Sequence, residues 1–205
     1  MRRPSGVREP AEPHSAKQQE RYARMLRAAG RLGAQHGLER MQMHDVAREA
    51  GVAIATLYRY FPSKTHLFAA LMHDRVRRLD AESPSPPPDL SPVEAVVQLL
   101  VKAGGQLFEQ PRLALAMMQS NNAASVGDAP GVRQTDEIVR DLVLRTASVT
   151  DPTDRELQAV RILELAWYGL LTTVLYERSS AADAQEGVRL ACSLLLGPVI
   201  GDRRT

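Results

Sequence analysis

The chain has 205 residues, of which 44% are apolar and 4% aromatic, and its formal net charge is +2. This length suits one compact unit or two small ones, with enough apolar residues for a genuine core. Abundant Ala, Leu and Arg with few aromatic residues favour helices over sheets, and the single cysteine, Cys192, excludes an internal disulfide.

Two further patterns concern where the protein works. No apolar run approaches the length of a membrane span, and no export signal opens the chain, so we expect a soluble cytoplasmic protein without membrane contact. Cys192 lies among leucines and an alanine, which indicates a packed, reduced thiol rather than a redox sensor.

The small net charge hides an uneven distribution. Residues 1–80 hold 15 Lys or Arg against 8 Asp or Glu, a balance of +7. Residues 81–205 hold 11 against 16, a balance of −5. A basic amino-terminal unit joined to an acidic remainder is the distribution expected of a phosphate-binding module attached to a domain that does not bind phosphate.

The first segment, residues 1–16, is rich in proline and charge and lacks periodicity, which predicts a disordered arm. Its arginines, Arg2, Arg3 and Arg8, could touch DNA phosphates or a minor groove, or simply be solvated. From Lys17 to about His36 apolar residues recur at helical spacing opposite a basic face, so we predict a helix that Gly37 ends.

The stretch MHDVAREAGVAIATLYRYFPSK, residues 43–64, has the pattern of a helix-turn-helix. Ala47 is small where two steeply crossing helices approach, and Gly51 suits a turn that requires positive φ. The inward positions hold Val46, Ala50, Val52, Leu57 and Tyr60. The second helix, residues 53–60, would lie in a DNA major groove.

The run TLYRYFPSK closely resembles the end of the DNA-binding domain in the tetracycline-repressor (TetR) family of bacterial transcription regulators. The resemblance covers about residues 17–80. It implies that Thr56, Tyr58 and Lys64 meet backbone phosphates. It also implies that the helix begun by Lys64 links the DNA-binding domain to a ligand-binding domain.

Two positions depart from the commoner family pattern. Gln42 stands where a Ser or Thr usually caps the first helix of the motif, so that cap should be weak. The second helix opens with Ala53, Ile54 and Ala55, which cannot form bidentate hydrogen bonds to guanine. We therefore expect apolar contacts, DNA shape and phosphates to dominate recognition. The predicted DNA-binding residues are Ala53, Ile54, Ala55, Thr56, Tyr58, Arg59 and Lys64.

The remaining chain predicts more helices and no strand. Ser63 is a credible cap for a helix over 64–81, and SPSPPPDLSP marks a break at 83–92. Helices are then predicted over 92–109, 111–123, 130–148, 153–177 and 182–197, with breaks near 127–131 and 151–153. The prediction is an all-α chain of about nine helices: an arm (1–16), a helix-turn-helix domain (17–63) and a ligand-binding and dimerisation domain (64–205). His66 and His73 lie two turns apart on one helix, too far for one metal ion, so no metal site is expected.

The helix over 153–177 carries a wide apolar stripe, formed by Leu157, Val160, Leu163, Trp167, Leu170, Leu171 and Val174. Such a stripe is typical of a core helix pair. The family resemblance implies instead that the last two helices pair with their twins in a homodimer. Glu164 falls inside the stripe with Arg161 at its margin, so the two could form an internal or interface ion pair, or anchor a ligand. The candidate ligand-binding residues are Leu107, Phe108, Met117, Met118, Arg161, Glu164, Trp167 and Leu171.

Within the family, the sequence is most similar to the branch that contains the repressor of sterol-degradation genes. The likeness rests on LYRYFPSK with its lead-in VAIA, and on RILELAWYGLLTTVLYERSSAADAQEGVRLACSLLLG. It implies an apolar effector, an acyl-CoA or a steroid derivative.

No catalytic motif or cofactor-binding loop is present, so we expect neither an enzyme nor a cofactor. The predicted function is a homodimeric repressor that binds a palindromic double-stranded DNA operator and is released by a small apolar effector. The alternative is a DNA-binding regulator without a small effector, acting through protein partners or DNA architecture.

Overall fold

The computed structural model describes residues 11–83, 89–126 and 130–200, and over these ranges it confirms the all-α prediction with nine helices and no strand. The helices are α1 (Ala16–Arg40), α2 (Met43–Ala50), α3 (Ile54–Tyr60), α4 (Lys64–Glu82), α5 (Pro92–Phe108), α6 (Pro111–Val126), α7 (Pro130–Thr146), α8 (Asp154–Leu175) and α9 (Ala181–Ile200). Residues 1–10 of the predicted arm lie outside the described ranges, as do residues 84–88 and 127–129 of two predicted breaks. None of the helices over the described residues combines the length and apolar character that a membrane crossing requires.

Helix α1 begins at a capping box, where the Ser15 hydroxyl accepts from the Gln18 amide and the Gln18 side chain accepts from the Ser15 amide. Just before it, the Ala11 amide donates to the Arg59 carbonyl over 3.0 Å. The last residues of the predicted arm therefore lie against the helix-turn-helix. At the other end Gly37, with φ of +69°, has a non-helical backbone and interrupts the helix where the sequence predicts its end, and a short helical turn then runs to Arg40.

The helix-turn-helix is built as its pattern predicts. Gly51 adopts the left-handed conformation, with φ of +64°, in the turn between α2 and α3. The inward residues Val46, Ala50, Leu57 and Tyr60 are buried, while Val52 is half-buried. Three aromatic rings fasten the end of α3 to α1: the ring centroid of Tyr22 lies 5.7 Å from that of Tyr60 and 5.0 Å from that of Phe61.

The body of the protein, α5 to α9, has its own core. Helix α9 packs along α8 on one side and against α5 on the other. Apolar side chains of α5, α7, α8 and α9 meet there, among them Val96, Val143, Leu163 and Leu196. Cys192 is fully buried in this core, and burial raises the pKa of its thiol to about 11. The thiol is therefore protonated and packed.

Helix α6 joins the two parts because it contributes to the core of the DNA-binding unit. Leu113, Ala116 and Met117 of α6 are buried in one cluster with Phe68 of α4 and the apolar side of α1. Gly33 of α1 faces this junction. A Cβ atom at Gly33 would lie 2.6 Å from Cε1 of Phe68 and 2.8 Å from Cδ1 of Leu113. The three helices thus approach too closely for any side chain at residue 33.

Replacing Gly33 with alanine tests this junction. The added methyl group must displace the buried ring of Phe68 or the side chain of Leu113, so we expect Gly33→Ala to destabilise the fold by about 1–3 kcal/mol. Gly30→Ala on the same helix is the matched control, because its Cβ would meet Leu71 at an ordinary 3.9 Å. The control should gain up to about 1 kcal/mol from helix propensity. Urea unfolding measures both, and equal stability of the two variants would contradict the close approach.

Candidate nucleic-acid interface and internal cavity

The outward face of α3 carries the residues predicted to meet DNA. Leu57 and Tyr60 anchor the helix inward, which turns Ala55, Tyr58 and Arg59 to solvent. Ala53 is exposed as the N-cap residue, and Ile54 and Thr56 are half-buried beside it. The structure therefore brings the predicted residues of α3 onto one surface with an apolar leading end.

Helix α2 starts without a side-chain cap, because Gln42 makes no capping hydrogen bond, as the sequence predicts. Its first amide groups consequently receive no acceptor from the side chain of the cap residue. Exposed amides at a helix start favour anions through hydrogen bonding and the helix dipole.

Lys64 has a structural role that the sequence did not indicate. Its ammonium donates to the carbonyl oxygens of Glu39, at 3.0 Å, and Leu38, at 3.4 Å. These carbonyls belong to the short turn of α1 that follows the kink at Gly37. An ammonium group has three N–H donors, so this arrangement leaves one for a phosphate oxygen.

Arg59 is held close to the domain rather than extended. Its guanidinium carbon lies 5.1 Å from the Tyr60 ring centroid, and its Nη2 donates to the Tyr60 hydroxyl over 3.4 Å. This stacking keeps the cation at the end of α3, away from the apolar start of the helix.

A cavity of about 490 Å³, partly open to solvent, lies between α4, α5, α6, α7 and α8. Six of the eight predicted ligand-binding residues line it: Leu107, Met118, Arg161, Glu164, Trp167 and Leu171. Its wall also contains residues that the sequence did not single out, chiefly Met72, Arg75, Val76 and Leu79 of α4 and Thr135, Asp136 and Val139 of α7. No local sequence pattern identifies these residues as part of a cavity wall, because their position depends on how α4 and α7 pack across the body.

Two predicted residues lie elsewhere, and we remove them from the proposed wall. Met117 is fully buried in the junction of α1, α4 and α6, because successive helical residues point about 100° apart and only Met118 faces the cavity. Phe108 packs against the same cluster as Trp167 and Leu171, which line the cavity, but does not itself line it.

Glu164 lies on the cavity wall with its Oε1 atom buried and without a hydrogen-bond partner. Burial raises the pKa of this carboxyl to about 7, and the charge of Asp136 adds to the rise, whereas Arg140 and Arg161 oppose it. Arg161 and Glu164 both belong to the described part of the chain, and they do not form an ion pair with each other. The internal pair considered from the sequence is therefore absent within the chain.

Helix α4 is tied to the body on the cavity side. The His73 Nδ1 and the Thr135 hydroxyl are hydrogen-bonded at 3.1 Å, and the pKa of His73 is lowered by burial and by Arg77. Arg75 donates to Gln110 over 3.2 Å, and Asp80 pairs with Arg145 of α7. The helix that begins beside α3 is thus also a wall of the cavity.

Large apolar side chains are exposed on both α8 and α9. They are Ile162 and Leu165 of α8 and Leu190 and Leu194 of α9, and we call this set the α8–α9 face. Leu165 is 64% exposed and Leu194 is 65% exposed, whereas leucine side chains on long helices are usually buried. The stripe noted in the sequence differs from it: Val160, Leu163 and Leu171 of that stripe are buried within the chain. The surplus apolar surface therefore lies on other positions of the same helix.

A helix-turn-helix with an outward second helix, carried on a helical body with an internal cavity, defines a DNA-binding transcription regulator. Residues 25–71 match the family of bacterial regulatory proteins called tetR, and residues 90–195 match the tetracyclin repressor-like C-terminal domain. The chain belongs to the TetR family. This membership confirms the resemblance that TLYRYFPSK indicates. Like its relatives, the chain is thus a transcription regulator and not an enzyme.

Known relatives cover nearly the whole chain. The HTH-type transcriptional repressor KstR of Rhodococcus jostii is 35% identical over 187 residues, which are 91% of this chain and 87% of that protein. The crystal structure of a TetR transcriptional regulator from Rhodococcus sp. RHA1 is 43% identical, with a TM-score of 0.84 over 90% of this chain and 99% of that one.

A more distant neighbour shares the fold alone. This is the TetR-family repressor FadR of Thermus thermophilus, solved in complex with lauroyl-CoA. It is 20% identical, with a TM-score of 0.58 over 87% of this chain and 94% of that one.

Proposed function

We propose that the protein is a homodimeric repressor whose grip on a palindromic operator is released when a small apolar effector enters the 490 Å³ cavity. The observation that carries this proposal is that α4 belongs both to the core of the DNA-binding unit and to the wall of the cavity. Leu67 and Phe68 of α4 belong to the core of the DNA-binding unit, while Met72, Val76 and Leu79 line the cavity one to three turns later. A ligand against the second set acts on the same rigid helix as the first.

On DNA, the two α3 helices of a dimer would enter successive major grooves about 34–36 Å apart. Ala53, Ile54 and Ala55 lead each helix and would contact thymine methyl groups. Thr56, Tyr58 and Lys64 would meet phosphates, with Arg59 at the end of the helix. Because such contacts discriminate bases weakly, DNA shape would supply much of the specificity.

The α8–α9 face supports the dimer. Large exposed leucines on two long adjacent helices are unusual in a monomer and typical of a protein interface. Pairing this face with its twin would form a four-helix bundle, two helices from each subunit. Leu165 also lies at the cavity rim, so a partner seated there would close that side of the cavity.

The cavity suits an acyl-CoA or a steroid derivative. Its volume is within the range of small-molecule sites, and its wall is mainly aliphatic and aromatic, with Leu107, Met118, Trp167 and Leu171 as the apolar part. The FadR neighbour, which shares this fold, is bound to a ligand of this class, lauroyl-CoA. Arg161 and Glu164 are the candidate polar contacts.

Release would work through the ties of α4. A ligand wedged between α4 and α7 would strain the bond between His73 and Thr135, and would favour a dimer in which α4 has moved. A coupling of about 1–3 kcal/mol suffices to weaken operator binding roughly 5- to 150-fold.

The effector proposal is tested on DNA from upstream of the protein's own gene, by fluorescence anisotropy with and without lauroyl-CoA. We expect the wild type to lose about 5- to 150-fold in affinity when the acyl-CoA is added. Ala103→Trp fills the cavity from its α5 wall, so it should bind the DNA normally and lose the response. Equal responses in both proteins, or none in either, would favour a regulator without an internal effector.

The phosphate contact of Lys64 is tested by Lys64→Ala. We expect weaker binding to operator and to random DNA alike, and a salt dependence that is shallower by about one ion per subunit. Because Lys64 also holds the carbonyls of Leu38 and Glu39, thermal unfolding must accompany the titration. Lys102→Ala removes an exposed cation of α5 as the control. A lower melting temperature with an unchanged salt slope would leave Lys64 a purely structural role.

The dimer is tested by Leu194→Glu, which places a charge at the centre of the α8–α9 face. We expect sedimentation to show a folded monomer, because a desolvated carboxylate opposes an apolar interface, and operator affinity should fall with it. Ala16→Glu adds the same charge at the exposed start of α1 and should remain dimeric. A dimeric Leu194→Glu protein would place the interface elsewhere.

A further inference from the structure

The cavity contains a carboxyl group whose hydrogen-bonding capacity is unused. Glu164 lies on the face of α8 that also carries Trp167 and Leu171 into the cavity wall, and its Oε1 is excluded from solvent without a partner. Several other polar groups of the wall are hydrogen-bonded within the protein. The Asn122 amide donates to the Tyr168 hydroxyl over 2.5 Å, and Thr135 is bonded to His73.

The charges around Glu164 do not compensate an ionised carboxylate. Asp136, Arg140 and Asp141 face it from α7, Arg161 from the preceding turn of α8, and Arg75 lies across the cavity on α4. Arg140 is itself paired with Asp141 at 3.2 Å. The remaining α5 and α6 wall is uncharged, so burial and two carboxylates together outweigh the arginines, and the carboxyl keeps its proton up to a pH of about 7.

A protonated carboxyl is an O–H donor, and the buried Oε1 of Glu164 has no hydrogen-bond partner among the described residues. An uncharged oxygen acceptor on an apolar ligand would complete its hydrogen bonding without bringing a charge out of water. An ammonium group would instead require an ionised Glu164, and a ligand carboxylate would face Asp136 and Asp141 as well. Ligands with an uncharged oxygen, an ammonium group or a carboxylate therefore require different protonation states or surroundings of Glu164.

We propose, on the basis of the effector cavity above, that Glu164 is its polar anchor and donates a hydrogen bond to an uncharged carbonyl oxygen of the effector. The effector class this selects is an apolar molecule with a ketone, ester or thioester carbonyl buried beside α8. Glu164 then sets the orientation of the ligand, while the apolar wall supplies most of the affinity.

Trp167 provides the measurement, because it is the single tryptophan of the chain and lines the same wall. Its fluorescence is titrated with three probes that share a chain length and differ in the head group: 2-dodecanone, dodecylammonium and dodecanoate. The full-length proteins are the wild type, Glu164→Gln, Glu164→Leu and the control Glu20→Leu, which changes an exposed glutamate of α1.

We expect the wild type to prefer 2-dodecanone. Glu164→Leu should lose about tenfold in affinity for the ketone, the effect of one buried hydrogen bond. Glu164→Gln, which keeps an N–H donor, should stay within about threefold of the wild type. Replacing a buried carboxyl with leucine should leave the protein at least as stable, so a folding defect would not obscure the result.

The pH dependence separates an anchor from a mere wall residue. Ketone affinity of the wild type should fall as the pH rises through about 7, where Glu164 loses its proton, and that of Glu164→Gln should not. His73 does not interfere, because the pKa of its imidazole is lowered and its titration lies on the acid side.

Each contrary result identifies what failed. Binding of none of the probes to the wild type would overturn the effector cavity and the anchor together. Ketone binding that is equal in the wild type and Glu164→Leu would overturn the anchor and leave the cavity. Tighter binding of dodecylammonium than of the ketone would also overturn it, because Glu164 would then act as a counter-ion.

Discussion

The structure depends on the contact of α1, α4 and α6 at Gly33, Phe68 and Leu113. The helices approach so closely there that a single methyl group on residue 33 has no room. Packed interiors yield by discrete rearrangement rather than by continuous deformation, so a movement of α4 or α6 must be transmitted to α1. The helix-turn-helix is therefore mechanically part of the body that holds the cavity, although it lies in a separate stretch of the chain.

The two functional surfaces use opposite chemistry. In the proposed complex the start of α3 would offer methyl groups and an isoleucine to DNA, so its strength on an operator would come from phosphate contacts and from pairing two copies. The cavity presents an apolar wall with one unsatisfied carboxyl oxygen, which is the kind of local cost that a bound molecule can relieve. Under these proposals, specificity would be weak in single contacts at the DNA surface and concentrated at Glu164 in the cavity.

The ties on α4 lie where a ligand can reach them. The bond between His73 and Thr135 borders the cavity, whereas the pair of Asp80 with Arg145 lies near the far end of α4. A ligand that disturbs the first and leaves the second would pivot the helix about its carboxyl end. Its amino end, fixed to α1 by Lys64, would then carry the helix-turn-helix with it.

The sequence by itself determined what depends on neighbours along the chain. Apolar periodicity, the turn at Gly51 and the cap at Ser63 predicted the helices to within a few residues, and TLYRYFPSK identified the family. Only the tertiary structure decided which residues meet across helices. Met117 and Met118 are equivalent in sequence, yet one fills a helix junction and the other a cavity wall. The exposed leucines of α8 and α9 were likewise not distinguished from buried ones, because burial depends on the partner that a face finds, and that partner lies far away in the chain.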